Sequence, residues 1–170
     1  LGGYNVDEVI EYYPQLNFTV IPDWKEKSIL HTFLKAPFFD NEILVTYSDT
    51  VFRQDAISNM LKIDADVVFC IDSCWKNRYQ PRAEIDINSA ETIQIKDSKG
   101  KLKDAEFTGL VHFKKTAIKL ISALKEEDIG TTLIDLIDYL KSQALSVKYF
   151  DVTGDWAELN SSNDIAFQSN

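Results

Sequence analysis

Ile43-Leu44-Val45-Thr46-Tyr47-Ser48-Asp49 and, after a helical interval, Val67-Val68-Phe69-Cys70-Ile71-Asp72 decide the fold expected of this chain. Each is an apolar run, of the length of a buried strand, that ends in a carboxylate. Open α/β folds bind ligands at the carboxyl edge of their strands, so such an ending places a charge where chemistry is done. The second run leads into Ser73-Cys74-Trp75-Lys76-Asn77-Arg78-Tyr79, adding aromatics and two cations. Aspartate after a strand also serves as a helix N-cap or a turn residue. Both structural roles stay open for Asp49.

Between the two runs, Gln54 to Leu61 has helical spacing, which completes a strand-helix-strand unit. Toward the amino end, Asn5 to Tyr13 repeats apolar residues with helical spacing, Asn17 to Ile21 reads as a strand, and Ser28 to Ala36 as a helix capped by Ser28. Gly2-Gly3 reads as the turn after a strand that precedes Leu1, so the chain is expected to open in mid-fold. Toward the carboxyl end, Glu84 to Lys96 alternates with period two and Asp97-Ser98-Lys99-Gly100 supplies a turn before Lys101-Leu102-Lys103, an antiparallel excursion. A strand over Glu106 to Phe113, helices over Thr116 to Leu124 and Thr131 to Gln143, and a last strand over Ser146 to Val152 follow. The expectation is one α/β domain over residues 1–170 with a doubly wound, mostly parallel mixed sheet.

With 170 residues, the chain is long enough to bury a substantial core. Its composition, 45% hydrophobic and 12% aromatic, is that of a globular domain, and no apolar run approaches the ~20 residues of a membrane span. A net charge of −9 argues against a broad nucleic-acid surface, which needs clustered Lys and Arg. Cys70 and Cys74 are the only cysteines, and His31 and His112 lie far from them in sequence, so reduced thiols in the cytoplasm are expected rather than a zinc site.

Taken in order, Tyr47-Ser48-Asp49, Asp72-Ser73-Cys74-Trp75-Lys76-Asn77-Arg78-Tyr79, Glu106-Phe107-Thr108-Gly109-Leu110 and Gly154-Asp155-Trp156-Ala157-Glu158-Leu159-Asn160 form a set. Along almost its whole length the chain resembles the nucleotidyltransferase family of sugar-1-phosphate nucleotidyltransferases and phosphocholine cytidylyltransferases, especially the cytidylyltransferase-like domains associated with phosphoenolpyruvate mutase. That resemblance implies a Rossmann-like, GT-A-like fold. It also implies a preceding strand and Gly-rich loop that wrap the triphosphate. Against that pattern the chain is N-terminally truncated, and alone it is expected to bind nucleotide poorly.

The implied reaction passes a nucleoside monophosphate, CMP from CTP, to a small phosphorylated or phosphonylated acceptor and releases pyrophosphate. The resemblance implies Mg²⁺ as cofactor, with Asp49 as its strand-end ligand and Asn160 as a second ligand where many members have Asp. Asp164 is the alternative ligand or, equally, a helix N-cap. Ser28 falls where the family contacts the nucleotide, and N-capping is its competing role. For the acceptor, the implied residues are Trp75, against a cation; Glu106, for an amine; and Lys76 and Arg78, for a phosphate. Core packing is the alternative for Trp75, and a solvated surface for the two cations. Partners implied are a nucleoside triphosphate and the acceptor, with no nucleic acid or membrane; a fused domain or homo-oligomer is compatible. The other readings carried forward are a sugar-1-phosphate nucleotidyltransferase and a catalytically silent binding module.

Overall fold

The computed structural model describes residues 1–38, 41–77, 87–88, 90–97, 99–125 and 129–159. In chain order they form α1 (Val6–Tyr12), α2 (Ile29–Leu34), β1 (Ile43–Thr46), β2 (Thr50–Phe52), α3 (Gln54–Met60), β3 (Val67–Asp72), a 3-10 turn (Trp75–Asn77), β4 (Thr92–Lys96), β5 (Leu102–Phe113), α4 (Lys115–Ile121), α5 (Leu136–Ser142), β6 (Val147–Asp151) and β7 (Trp156–Glu158).

The five-stranded sheet has the order β1-β5-β3-β6, with β4 also paired to β5. β3 and β6 pair in parallel, whereas β5 runs antiparallel to β1, β3 and β4. β1, β3, β4 and β6 therefore share one direction and β5 alone opposes them, so the carboxyl ends of β1, β3 and β6 form one rim. β3 is central because all of its residues are buried, as a run covered on both faces must be. Val67, Phe69 and Ile71 face a core built with α2, α4 and α5; Val68 and Cys70 face a second core with Ala56, Met60 and Trp156. Each large apolar side chain so buried contributes about 1.5–3 kcal/mol relative to exposure.

β5 serves two partners along one edge. The last β1 rung is Thr46 opposite Leu110 and the first β4 rung is Thr92 opposite Glu106, which leaves Phe107 to Gly109 facing a break. Gly109 has φ 76° there, a conformation only glycine adopts without strain. β2 and β7 form a separate antiparallel pair.

Several boundaries differ from expectation. Of Asn17 to Ile21, only Val20 is paired, in a parallel bridge to Gly2. Ile87 and Asn88 are helical, and the alternating run becomes a strand only at Thr92. Lys103 and Glu106 belong to one continuous strand because β4 pairs with residues 102–106 before β3 takes over. The helix expected from Thr131 begins at Leu136, since Asp135 Oδ2 accepts the amides of Thr131 (2.7 Å) and Thr132 (2.8 Å) and folds that stretch into a turn. No helix among the described residues is long and apolar enough to cross a membrane.

Candidate functional site

The break along β5 makes a bay at the carboxyl end of β1. Tyr47, the residue after β1, donates its amide to the Gly109 carbonyl at 3.1 Å. Its ring meets Phe107 edge-on, with centroids 5.8 Å apart, and its phenol crosses the bay to donate to Glu91 Oε2 at 3.0 Å. Glu91 is anchored in turn: its carbonyl accepts the Phe107 amide at 2.7 Å. Burial, then the charge and hydrogen bond of Glu91, then Asp49 and Glu158, push the Tyr47 phenol far above its ordinary range, so it remains a protonated donor. Burial also raises the Glu91 carboxyl; the Tyr47 bond opposes that rise, while Glu158 and Asp135 add to it.

Asp49 lies exposed in the turn between β1 and β2. The turn is held by Thr50 Oγ1, which donates to the Tyr47 carbonyl at 3.0 Å and lies 3.1 Å from Thr46 Oγ1. Across from it, the Leu159 amide donates to the Asp49 carbonyl at 2.8 Å, and Thr50 is paired with Glu158. Asp49 is thus a turn residue and not a helix cap, for α3 is entered through Arg53.

The closing segment reaches this turn because it is anchored elsewhere. Asp72, 1% exposed, accepts Trp156 Nε1 at 3.0 Å and the Cys74 amide at 2.8 Å. Arg53 Nε lies 3.2 Å from Asp155 Oδ1, and its amide donates to the Asp155 carbonyl. At the end of β6, Asp151 accepts from the amides of Ser73 and Thr153 and from Thr153 Oγ1. Burial pushes that carboxyl up, but these donors outweigh it and hold it below the usual range. Asp72 is buried and Asp151, though exposed, is committed to the donors of the rim; Asp49 is exposed in its turn.

A cleft of about 640 Å³ opens beside β1, with Leu1, Ile29, Phe33, Leu44, Tyr47 and Asp49 in its wall. Ile29 is the first residue of α2, so the helix capped by Ser28 and the Asp49 turn share this cleft. Ser28 Oγ accepts the His31 amide at 3.0 Å, which fulfils its capping role. Trp75, Lys76 and Glu106 gather at the end of β3 instead. Trp75 is 5% exposed, Lys76 Nζ lies 5.4 Å from its ring centroid and 3.9 Å from Asp104 Oδ2, and Glu106, 3% exposed, stands between Asp72 and Thr92. Arg78, Asn160 and Asp164 lie outside the described residues. Cys70 and Cys74 are both free, and burial pushes the Cys70 thiol up to about 12.

No protein-family model matches the sequence. A protein from Campylobacter jejuni, CTP:phosphoglutamine cytidylyltransferase, is 23% identical in an alignment 199 positions long that spans 99% of this chain and 79% of the relative. The chain is thus similar along almost its whole length to a cytidylyltransferase. Solved nucleotidyltransferases share its fold. The inositol-1-phosphate CTP transferase from T. maritima superposes with a TM-score of 0.63 at 13% identity, over 95% of this chain and 69% of that one. A Bacillus anthracis protein described as a glucose-1-phosphate thymidylyltransferase, solved with sucrose, gives 0.56 at 12% identity over the same shares. The sequence singles out Asp49 as a candidate; Tyr47 and Glu91 emerge only from the structure. Tyr47 stands two residues from Asp49 and Glu91 lies within the alternating run, just before β4, yet their meeting depends on a strand register that no local pattern encodes.

Proposed function

We propose that this nucleotidyltransferase transfers CMP from CTP to a small phosphorylated or phosphonylated acceptor. An acceptor oxygen attacks the α-phosphorus, the new oxygen–phosphorus bond forms as the bond to the β-phosphate bridge breaks, and pyrophosphate leaves with the displaced electron pair. The observation carrying this reading is the match to a CTP-dependent cytidylyltransferase along 99% of the chain, joined to an exposed aspartate that the turn after β1 holds beside a cleft.

Two anions must approach one another, so catalysis of this kind is chiefly charge neutralisation and in-line positioning. Among the described residues no group of three or more His, Cys, Asp or Glu side chains is placed to hold a metal ion. Mg²⁺ does not require one, because it takes one or two protein carboxylates and completes its shell with phosphate and water oxygens. The hard oxygens of Asp49 fit that demand; Asn160, next after the residue whose amide binds the Asp49 carbonyl, is the second ligand we assign, with Asp164 its alternative. When bound, the ion would neutralise phosphate charge.

Ser28 is assigned to the nucleotide because α2 opens on the cleft that Asp49 borders. Trp75, Lys76, Arg78 and Glu106 are assigned to the acceptor, with the Lys76 ammonium and the Arg78 guanidinium meeting its phosphate or phosphonate. The free thiols agree with work in a reducing, cytoplasmic setting. The test is pyrophosphate release by the full-length protein with Mg²⁺, a panel of nucleoside triphosphates and a panel of phosphorylated and phosphonylated acceptors. CTP is expected to be preferred; binding of CTP without release from any acceptor would favour a silent module.

A further inference from the structure

The turn that presents Asp49 is tied to three strands at once. Toward β5, the Tyr47 amide donates to the Gly109 carbonyl at 3.1 Å; toward β7, the Asp49 carbonyl accepts the Leu159 amide at 2.8 Å. The third tie is a side chain. The Tyr47 phenol reaches Glu91 Oε2 at 3.0 Å, over 44 residues of sequence, and fastens the end of β1 to the entry of β4. These strands have no ladder between them; both pair with β5, on either side of the break. The bond therefore bridges the open part of the sheet edge.

Room for the bridge is built into β5. A Cβ on Gly109 would lie 2.6 Å from Tyr47 Cδ2 and 2.7 Å from Cγ, so glycine leaves the space occupied by the ring whose oxygen reaches Glu91. Glu91 is half-buried and is fixed through its carbonyl to Phe107, so it is a stationary anchor. A charge-assisted bond in a partly desolvated bay is about twice as strong as a neutral one. With its ring packed on Phe107 and its carbonyl accepting from Thr50, Tyr47 has little freedom, and Asp49 follows two residues later.

We propose that Tyr47 is a positioning residue, and that its bond to Glu91 holds the Asp49 turn in the geometry used for nucleotidyl transfer. The inference rests on the transferase reading of this rim, and the test separates the two. Tyr47→Phe keeps the ring and removes the bond, Glu91→Gln keeps an acceptor oxygen, and Glu91→Leu removes it. Amide hydrogen exchange at Leu159, whose N–H is bound to Asp49, reports on the turn without any substrate. Tyr47→Phe and Glu91→Leu are expected to speed that exchange by about tenfold, the scale of one lost hydrogen bond, and to leave the β3 amides unchanged. Glu91→Gln, which keeps an acceptor but loses its charge, should fall between the wild type and Glu91→Leu, and the Tyr47→Phe/Glu91→Leu double variant should be no worse than either single one.

In pyrophosphate release with CTP and Mg²⁺, the same two damaging variants should lose about tenfold in kcat with KM for CTP little changed. Unchanged Leu159 exchange in Tyr47→Phe overturns the tether. Faster exchange with unchanged kcat overturns its role in transfer. A wild type that turns over no acceptor overturns the transferase reading, and the exchange comparison still decides the tether.

Discussion

Trp156 Nε1 donates to Asp72 Oδ2 at 3.0 Å, a buried bond that joins residues 84 apart in sequence. It secures the strand carrying Glu158 to the end of β3 and so brings the closing segment beside the Asp49 turn. Trp156→Phe keeps an aromatic beside Phe52, whose ring now stacks on Trp156 at 6.2 Å, but strips one oxygen of a carboxylate that is 1% exposed. Loss of a buried bond to a charged group costs about 1.5–3 kcal/mol. The melting temperature should fall by roughly 3–10 °C for a chain of this size, as read by calorimetry. An unchanged transition would show that the bond does not anchor β7.

Two glycines allow the crowding around Tyr47 to be measured apart from backbone strain. Gly100 and Gly109 both have positive φ, 77° and 76°, but a Cβ at Gly100 meets nothing within 4 Å, whereas one at Gly109 strikes the Tyr47 ring. Both alanine variants carry the left-handed penalty of about 1–2 kcal/mol. Gly109→Ala is expected to be the less stable by a further ~1–3 kcal/mol of overpacking in urea unfolding. Equal destabilisation would mean that the ring moves aside freely.

Asp66 makes stability depend on pH. Its carboxylate accepts from Thr116 Oγ1 at 2.6 Å, Ser146 Oγ at 2.7 Å and the Ser146 amide at 2.9 Å, joining α4 and the start of β6 to the entry of β3. These donors, Thr116 first, hold it below its usual value. A depressed folded-state pKa means that the stabilisation is complete above the unfolded value of about 3.9 and is lost as pH falls through the lower folded value. Asp66→Asn should therefore cost on the order of 1 kcal/mol at pH 7, discounted for its partial exposure. The difference from wild type should close below about pH 4. A difference independent of pH would contradict this.

The parts of the fold legible in the sequence were those whose burial is written locally. Val67 to Ile71 reads as a strand because both faces are covered, and Ser28 to Ala36 as a helix, formed over Ile29–Leu34, because its apolar side faces one core. The pair of β2 and β7 was not legible, for each has three residues and their union depends on the anchors at Asp72 and Asp155. The start of α5 is not legible because Asp135, which fits the helical spacing, commits its carboxylate to two amides of the preceding turn. At the candidate site, Asp49 is legible as a carboxylate after a strand, and it lies exposed in the turn between β1 and β2. Glu91 was not, because its alternating run reads as a charged, solvated face until β4 is placed against β5.

The central claim is that Asp49 is the carboxylate on which nucleotidyl transfer depends, and it is tested most directly by pyrophosphate release from CTP and Mg²⁺ by the full-length protein and its Asp49→Ala variant. Because Asp49 is exposed in its turn, the variant should fold and melt as the wild type does. Its turnover should fall by at least ~10²-fold, the scale of removing one transition-state stabiliser. Turnover equal to that of the wild type would contradict the account.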